Sequence, residues 1–128
     1  MVRTPNKNEK FMTAEDVIQQ KCVIWFRNNY GLKTHNPRYL LFSVPNSGKD
    51  VKEQSYKKAT GMMAGVADLI LLMPNGKTIF VEMKTEKGTQ SPTQKDFETA
   101  VINLGFQYIL CRSFETFQTE IQKLIPIQ

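Results

Sequence analysis

Two apolar segments separated by a single turn limit this chain more than any other feature of it. The first runs from Gly65 through Val66, Ala67, Asp68, Leu69, Ile70, Leu71 and Leu72 to Met73. The second runs from Thr78 through Ile79, Phe80, Val81, Glu82 and Met83 to Lys84, and Pro74-Asn75-Gly76 lies between them. Runs rich in Val, Ile, Leu and Phe and bounded by turn residues read as strands joined in a hairpin. These strands nevertheless carry charges: Asp68 on the first, Glu82 and Lys84 on the second. A charge in so apolar a strand is costly to bury and is seldom placed there for packing.

The register decides what those charges can do. Glu82 and Lys84 are two apart on one strand and share a face. Pairing Met73 with Lys77 across a three-residue loop, with Gly76 left-handed, puts Asp68 opposite Glu82, and such loops are common in hairpins. A two-residue Asn75-Gly76 loop shifts the register by one and sends Asp68 to the opposite face. Gathering the charges therefore requires the longer loop, or a bulge near Asp68. Val66, Ile70, Leu72 and Phe80 fall on one side, and Leu69, Leu71, Ile79, Val81 and Met83 on the other. This distribution predicts a hairpin covered on both faces over most of its length. An exposed structural salt bridge from Lys84 to one acid is the competing reading, and it suits a covered pair poorly. Two carboxylates and a lysine on one edge of a sheet make a Mg²⁺ site with a cation beside it, which is equipment for phosphodiester hydrolysis.

The rest of the chain sets bounds on that reading. Its 128 residues suit one domain with a single core. A formal net charge of +5 favours a polyanionic partner, although such an excess also occurs in proteins that bind no nucleic acid. Cys22 and Cys111 are too few for a four-ligand zinc site and His35 stands alone, so buried free thiols in a reducing compartment are expected. No apolar run approaches membrane-spanning length, and the start of the chain lacks the apolar core of a signal peptide. The expectation is a soluble, cytoplasmic protein.

Residues 1–12 are polar and expected to be loose, with a single domain over 13–128. Thr13 reads as an N-cap before Glu15 and Asp16, with Ile18, Cys22, Trp25 and Phe26 at helical spacing and Asn29-Tyr30-Gly31 as the stop. That spacing makes Trp25 and Phe26 core residues rather than base-stacking ones. Arg38 to Val44 reads as a strand. Lys49 to Lys58 is a charged run that reads equally as a solvated face or a phosphate-facing one. Ser91-Pro92-Thr93-Gln94 opens a helix as a capping box with proline in its first position. Phe106 to Cys111 is a further strand, and Ser113 caps a last helix through Phe117, Ile121 and Leu124. The order predicts an α/β fold: a mixed sheet of about four strands flanked by helices, with a parallel crossover between the Glu82 strand and the Cys111 strand.

Asp68 followed by Glu82-Met83-Lys84 on adjacent strands, after an N-terminal helix, resembles the PD-(D/E)XK nuclease superfamily. Within it the pattern is similar to the VRR-NUC (virus-type replication-repair nuclease) domain. The matching pieces are Glu15 to Gln19, Pro45 to Gly48, Gly61, Gly65 to Asp68, Glu82 to Lys84, Ser91 to Gln94, and Gly105. Ala67 stands where the superfamily pattern has proline, a position of backbone shape rather than chemistry. The resemblance implies a restriction-endonuclease-like αβββαβ core. It further implies that Asp68, Glu82 and the Met83 backbone carbonyl bind one or two Mg²⁺ or Mn²⁺ ions, with Glu15 an additional acid near the metal. Lys84 would position or polarise a water or stabilise the transition state, and Gln94 would stand beside the site. Glu15 also has a plain explanation as an acid in a first helical turn, and Gln94 one as part of its capping box, which leaves room for both roles. Lys49, Lys57, Lys58 and Lys87 are candidate DNA-backbone contacts.

Stand-alone relatives of this size, from phages or bacteria, resemble Holliday-junction resolvases. The resemblance therefore implies a homodimer that cuts four-way DNA junctions. The same chemistry on flaps, nicked or linear DNA, and a non-cutting DNA-binding subunit, are the alternatives.

Overall fold

A computed structural model of the chain describes residues 12–45 and 51–125. Thr13 caps α1 (Ala14–Phe26) as the sequence predicts. Its Oγ1 accepts the Asp16 N–H at 3.1 Å, and Asp16 Oδ2 accepts the Thr13 N–H at 2.9 Å. The helix runs on as a π-helical turn, Arg27–Gly31, and stops at the expected glycine. Then follow β1 (Leu40–Ser43), α2 (Val51–Ala59), β2 (Leu69–Met73), β3 (Lys77–Met83), α3 (Pro92–Asn103), β4 (Gln107–Cys111) and α4 (Phe114–Leu124). The charged run thus contains a helix, and the first strand is shorter than the apolar pattern.

The strands form one mixed sheet in the order β1-β2-β3-β4. The first two pairings are antiparallel, and β3 pairs with β4 in parallel across α3. This is the α/β architecture the sequence implies. The hairpin takes the three-residue register, pairing Met73 with Lys77 and Leu69 with Val81. Both Asn75 (φ 67°) and Gly76 (φ 72°) are left-handed in its turn, so the asparagine shares a conformation expected only of the glycine. Asn is among the few residues that enter this region readily.

One face of the sheet is the core. Leu69, Leu71, Ile79 and Val81 are fully buried there against Cys22 and Phe26 of α1 and Phe117 and Ile121 of α4. Each large side chain so buried stabilises by about 1.5–3 kcal/mol. Trp25 meets Tyr30, Phe114 and Phe117 edge-on, which makes it a packing residue as expected. Both cysteines are free and buried, and burial pushes each thiol up to about 12, as suits inert core thiols. Among the described residues no helix is long and apolar enough to cross a membrane.

The opposite face departs from expectation. Phe80 packs edge-on against Phe97 of α3 and Phe106, so α3 covers the β3–β4 half. Leu40, Phe42 and Leu72 share that face but remain 41%, 37% and 36% exposed. A hairpin covered on both sides is therefore correct only for β3. The reason is topological: α3 connects β3 to β4 and lies over that pair, leaving the β1–β2 half open.

The loop leading into β2 passes very close to the start of α3. Gly65 has φ +84°, and a Cβ placed on it would lie 2.2 Å from the Thr93 carbonyl oxygen and 2.8 Å from the Gln94 nitrogen. Gly65→Ala is therefore expected to destabilise by at least about 2 kcal/mol, since left-handed strain alone costs about 1–2 and the overlap is with backbone. Urea unfolding of the two proteins measures this, and an unchanged midpoint would contradict the close approach.

Candidate active site

Asp68 precedes β2 by one residue, just past the last ladder pair, Leu69 with Val81. Its Oδ2 accepts the Met83 N–H at 2.7 Å, so a side-chain oxygen adds one bond beyond the ladder. That bond pins the carboxylate beside Glu82, one residue back from Met83. Glu82 is 1% exposed and is the only buried charged residue among those described. Its position follows from strand parity: Val81 and Met83 enter the core, so Glu82 must point to the α3 face.

A buried carboxylate needs partners, and each oxygen of Glu82 has one. Gln94 Nε2 donates to Oε1 at 3.2 Å, and the Tyr108 hydroxyl donates to Oε2 at 3.2 Å. Even so, the carboxyl is pushed up to about 8. Burial is the largest cause and the adjacent Asp68 the next, offset in part by the Tyr108 hydrogen bond and the charge of Lys84. Burial and the neighbouring Asp68 thus both disfavour the charged form of Glu82.

A divalent cation would relieve both causes at once. Among the described residues no group of three or more His, Cys, Asp or Glu side chains converges. The donors on offer are two carboxylates with backbone oxygen and water, a set that suits Mg²⁺, which keeps several waters and is commonly held by one or two carboxylates. The residues present therefore fit the metal.

Lys84 stands two residues beyond Glu82, just past the end of β3, its side chain only 12% exposed and its Nζ 3.8 Å from Glu15 Oε1. Glu15 thus occupies the first turn of α1 and also reaches the site, through the lysine. At that distance and exposure the pair is worth roughly 0–1 kcal/mol, so it orients Lys84 more than it stabilises the fold. Gln94 likewise does two things. Its Oε1 accepts the Ser91 N–H at 2.8 Å in the capping box, while its amide nitrogen turns to Glu82.

Of the candidate lysines, Lys57 pairs with Glu53 at 2.9 Å on α2, Lys58 is exposed on the same helix, and Lys87 is exposed on the loop after β3. Lys49 lies outside the described residues, as does the Asn46–Gly48 match.

The sequence reading missed Tyr108, Gln90 and Arg112. Gln90 Nε2 donates to the Tyr108 oxygen at 3.1 Å and to Glu98 Oε1 at 3.3 Å, which holds the hydroxyl in place for Glu82. Burial and the neighbouring Glu82 push the Tyr108 phenol upward, so it stays a neutral donor. Strand parity offered a signal for it: with Ile109 and Cys111 facing the core, Tyr108 must face the other way. Arg112 Nη1 donates to the carbonyls of Thr85, Glu86 and Gly88 at 2.8, 3.2 and 2.6 Å, clamping the loop that carries Lys87. Nothing local in the sequence marks that contact.

The raised Glu82 carboxyl gives the metal-free protein a signed pH dependence. A folded value of about 8 against an ordinary 4.5 means the folded state binds more protons between those values. The stability it contributes is complete below the unfolded value and is lost as pH rises toward 8. In EDTA, wild-type melting temperature should fall across this window relative to Glu82→Gln, and saturating Mg²⁺ should restore it at the alkaline end. Parallel melting curves for the two proteins would contradict this.

Comparison with known proteins bears on what this geometry belongs to. The family model for the VRR-NUC domain matches residues 9–115. A solved structure described as a VRR_NUC domain protein superposes with a TM-score of 0.70 over 91% of this chain and 91% of its own, at 19% identity. A second, described as a VRR_NUC domain, gives 0.61 over 89% of this chain and 100% of its own, at 20% identity. No curated protein matches the sequence. At these identities the superpositions speak for the fold, and the family model speaks for the sequence. The chain belongs to the VRR-NUC family of nuclease-type, DNA-processing domains.

Proposed function

We propose that the chain is a metal-dependent DNA endonuclease of the PD-(D/E)XK type, acting on branched DNA and resolving four-way junctions as a homodimer. The observation that carries this reading is buried Glu82 with Asp68 held beside it across the hairpin, and Lys84 near enough for its charge to act on the Glu82 carboxyl. A fold gains nothing in stability from a buried carboxyl set beside a second acid at a strand end, whereas a cation site requires both.

Asp68, Glu82 and the Met83 carbonyl would hold one or two Mg²⁺ or Mn²⁺ ions, which when bound supply a more acidic water and a Lewis acid for the scissile phosphate. The chain's own groups do the rest. Tyr108 and Gln94 fix the Glu82 carboxylate in orientation, and the Met83 N–H fixes Asp68. Lys84, steadied by Glu15, faces the reacting phosphate and offsets the charge that gathers as water oxygen bonds to phosphorus and the ester oxygen departs. A proton leaves the water and one returns to the departing oxygen, so the products are a phosphate monoester and a free hydroxyl. Lys57, Lys58 and Lys87 would meet the DNA backbone, giving salt-sensitive binding with little sequence preference.

Support for the homodimer comes from the open half of the sheet face. Leu40, Phe42 and Leu72 form an adjoining apolar set on β1 and β2, of the kind that marks an interface. Phe42→Glu should convert a dimer into a monomer by light scattering while leaving the melting temperature nearly unchanged. A wild type that is monomeric at micromolar concentration would remove the dimer from this proposal.

The chemistry is tested by cleavage of a labelled four-way junction and its matched linear duplex with Mg²⁺, Mn²⁺ or EDTA. Junction cutting in Mg²⁺, abolished by EDTA and reduced at least about a hundredfold in Asp68→Ala, is expected. Equal cutting of both substrates would leave the nuclease and remove the junction preference. Folded wild type that cuts neither would leave a DNA-binding subunit.

A further inference from the structure

Helix α2 leaves its one aromatic side chain on its exposed side. Glu53, Gln54 and Lys57 are its half-buried positions, while Lys52, Ser55, Tyr56 and Ala59 face solvent. Tyr56 is 70% exposed, among the most exposed large side chains of the described residues. An aromatic ring normally contributes by burying its area, which Tyr56 does not do here. The helix instead keeps the ion pair of Glu53 with Lys57, at 2.9 Å, on its inner side and leaves the ring outside.

The surroundings of the ring suit a flat, anionic partner. Ser55 and Ala59 are the small exposed residues beside it on the helix, so no long side chain from those positions covers the ring. Lys52 stands one turn before Tyr56 on the same face, and Lys58 is exposed on the adjoining side; among the described residues neither forms an ion pair. An exposed aromatic between free cations is the equipment for stacking on a base while neighbouring ammonium groups meet phosphates.

The helix is also well placed. One turn beyond Tyr56, where the Thr60 hydroxyl bonds the Tyr56 carbonyl, the chain enters a groove of about 360 Å³ between Thr60–Met63 and Val44–Pro45. Val44 follows Ser43, the β1 residue paired with Leu69, and so stands level with Asp68 at the end of the sheet. The last turn of α2 therefore reaches this groove through Lys57, with Thr60 just beyond it.

We infer that the outward face of α2 is a base-binding platform, on which Tyr56 stacks against an unpaired base of DNA while Lys52 and Lys58 meet the flanking phosphates. This deepens the nuclease proposal and rests on it for the choice of DNA. Fully paired duplex buries its base faces and offers nothing to such a ring, whereas a branch point or a single strand does. The platform would thus select substrates by their lack of stacking and not by sequence.

The test reads binding in EDTA, so it does not depend on cleavage. An oligonucleotide carrying 2-aminopurine, presented as a single strand, at a junction branch and in a linear duplex, is titrated with wild type, Tyr56→Ala and Tyr56→Phe. Wild type should change the probe's fluorescence on the single strand and the branch. Tyr56→Phe should behave like wild type, and Tyr56→Ala should lose the signal and bind these forms about tenfold or more weakly. Duplex affinity should change less than about twofold, and all three proteins should melt together because the ring is exposed. Equal affinities of Tyr56→Ala and wild type, or no signal from wild type, would overturn the platform. So would a change in oligomeric state on Tyr56→Ala, which would make the ring a protein contact. Cleavage with Mg²⁺ is scored separately, so a failure of the nuclease proposal remains distinguishable from a failure of the platform.

Discussion

A carboxylate buried near the end of an inner strand of an apolar sheet is the condition around which the rest of this structure is arranged. Moving Glu82 out of water is costly unless hydrogen bonds or charge replace its hydration. Gln94 from α3, Tyr108 from β4 and Lys84 from its own strand supply part of that replacement, and the raised carboxyl shows that they supply only part. The deficit is what supports the proposed cation site. Fully compensated by protein groups, the same glutamate would have little further affinity to offer.

The elements that meet at Glu82 are held to narrow tolerances. The three-residue turn sets the register that brings Asp68 level with it, and a slip of one residue would send Asp68 to the core face. Gly65 lets the incoming loop pass within contact distance of the first turn of α3, the turn that carries Gln94. Ser91, through the same capping box, fixes the orientation of the Gln94 side chain. One helix start therefore ends its own backbone properly and finishes the site, with no residue assigned to only one of the two tasks. The parallel return of β4 brings Tyr108 beside the glutamate, and Arg112, just past that strand, ties down the loop on the other side of α3.

The open half of the sheet and the outward ring of α2 follow from the same economy of parts. A connection that must run from β3 to β4 covers those strands and cannot also cover β1 and β2. The leucines and phenylalanine of β1 and β2 therefore stay exposed, and the surface keeps an apolar region on the open half of the sheet and a basic one on α2. Such regions are suited to partners, whether a second copy of the chain or a nucleic acid.

Much of this was legible in the residues themselves. Apolar alternation identified the strands, Thr13, Ser91 and Ser113 identified helix starts, and the spacing of Glu82 and Lys84 put them on one face, because these are properties of local geometry with fixed periods. Asp68, Glu82 and Lys84 could be named as a group because a charge in an apolar strand stands out without any structure, whereas Gln94 was named through the family resemblance. The sequence left the turn register open between two loop lengths, and it implied cover on both hairpin faces, since an apolar residue states its preference for burial but not what is available to bury it. Tyr108, Gln90 and Arg112 became partners only through the β3–β4 pairing and the path of α3, contacts between segments distant along the chain. The sequence by itself determined which side chains belong together on a strand or at a helix cap; the tertiary structure alone decided which strands lie side by side, and so which neutral donors reach the buried acid and which apolar face stays open.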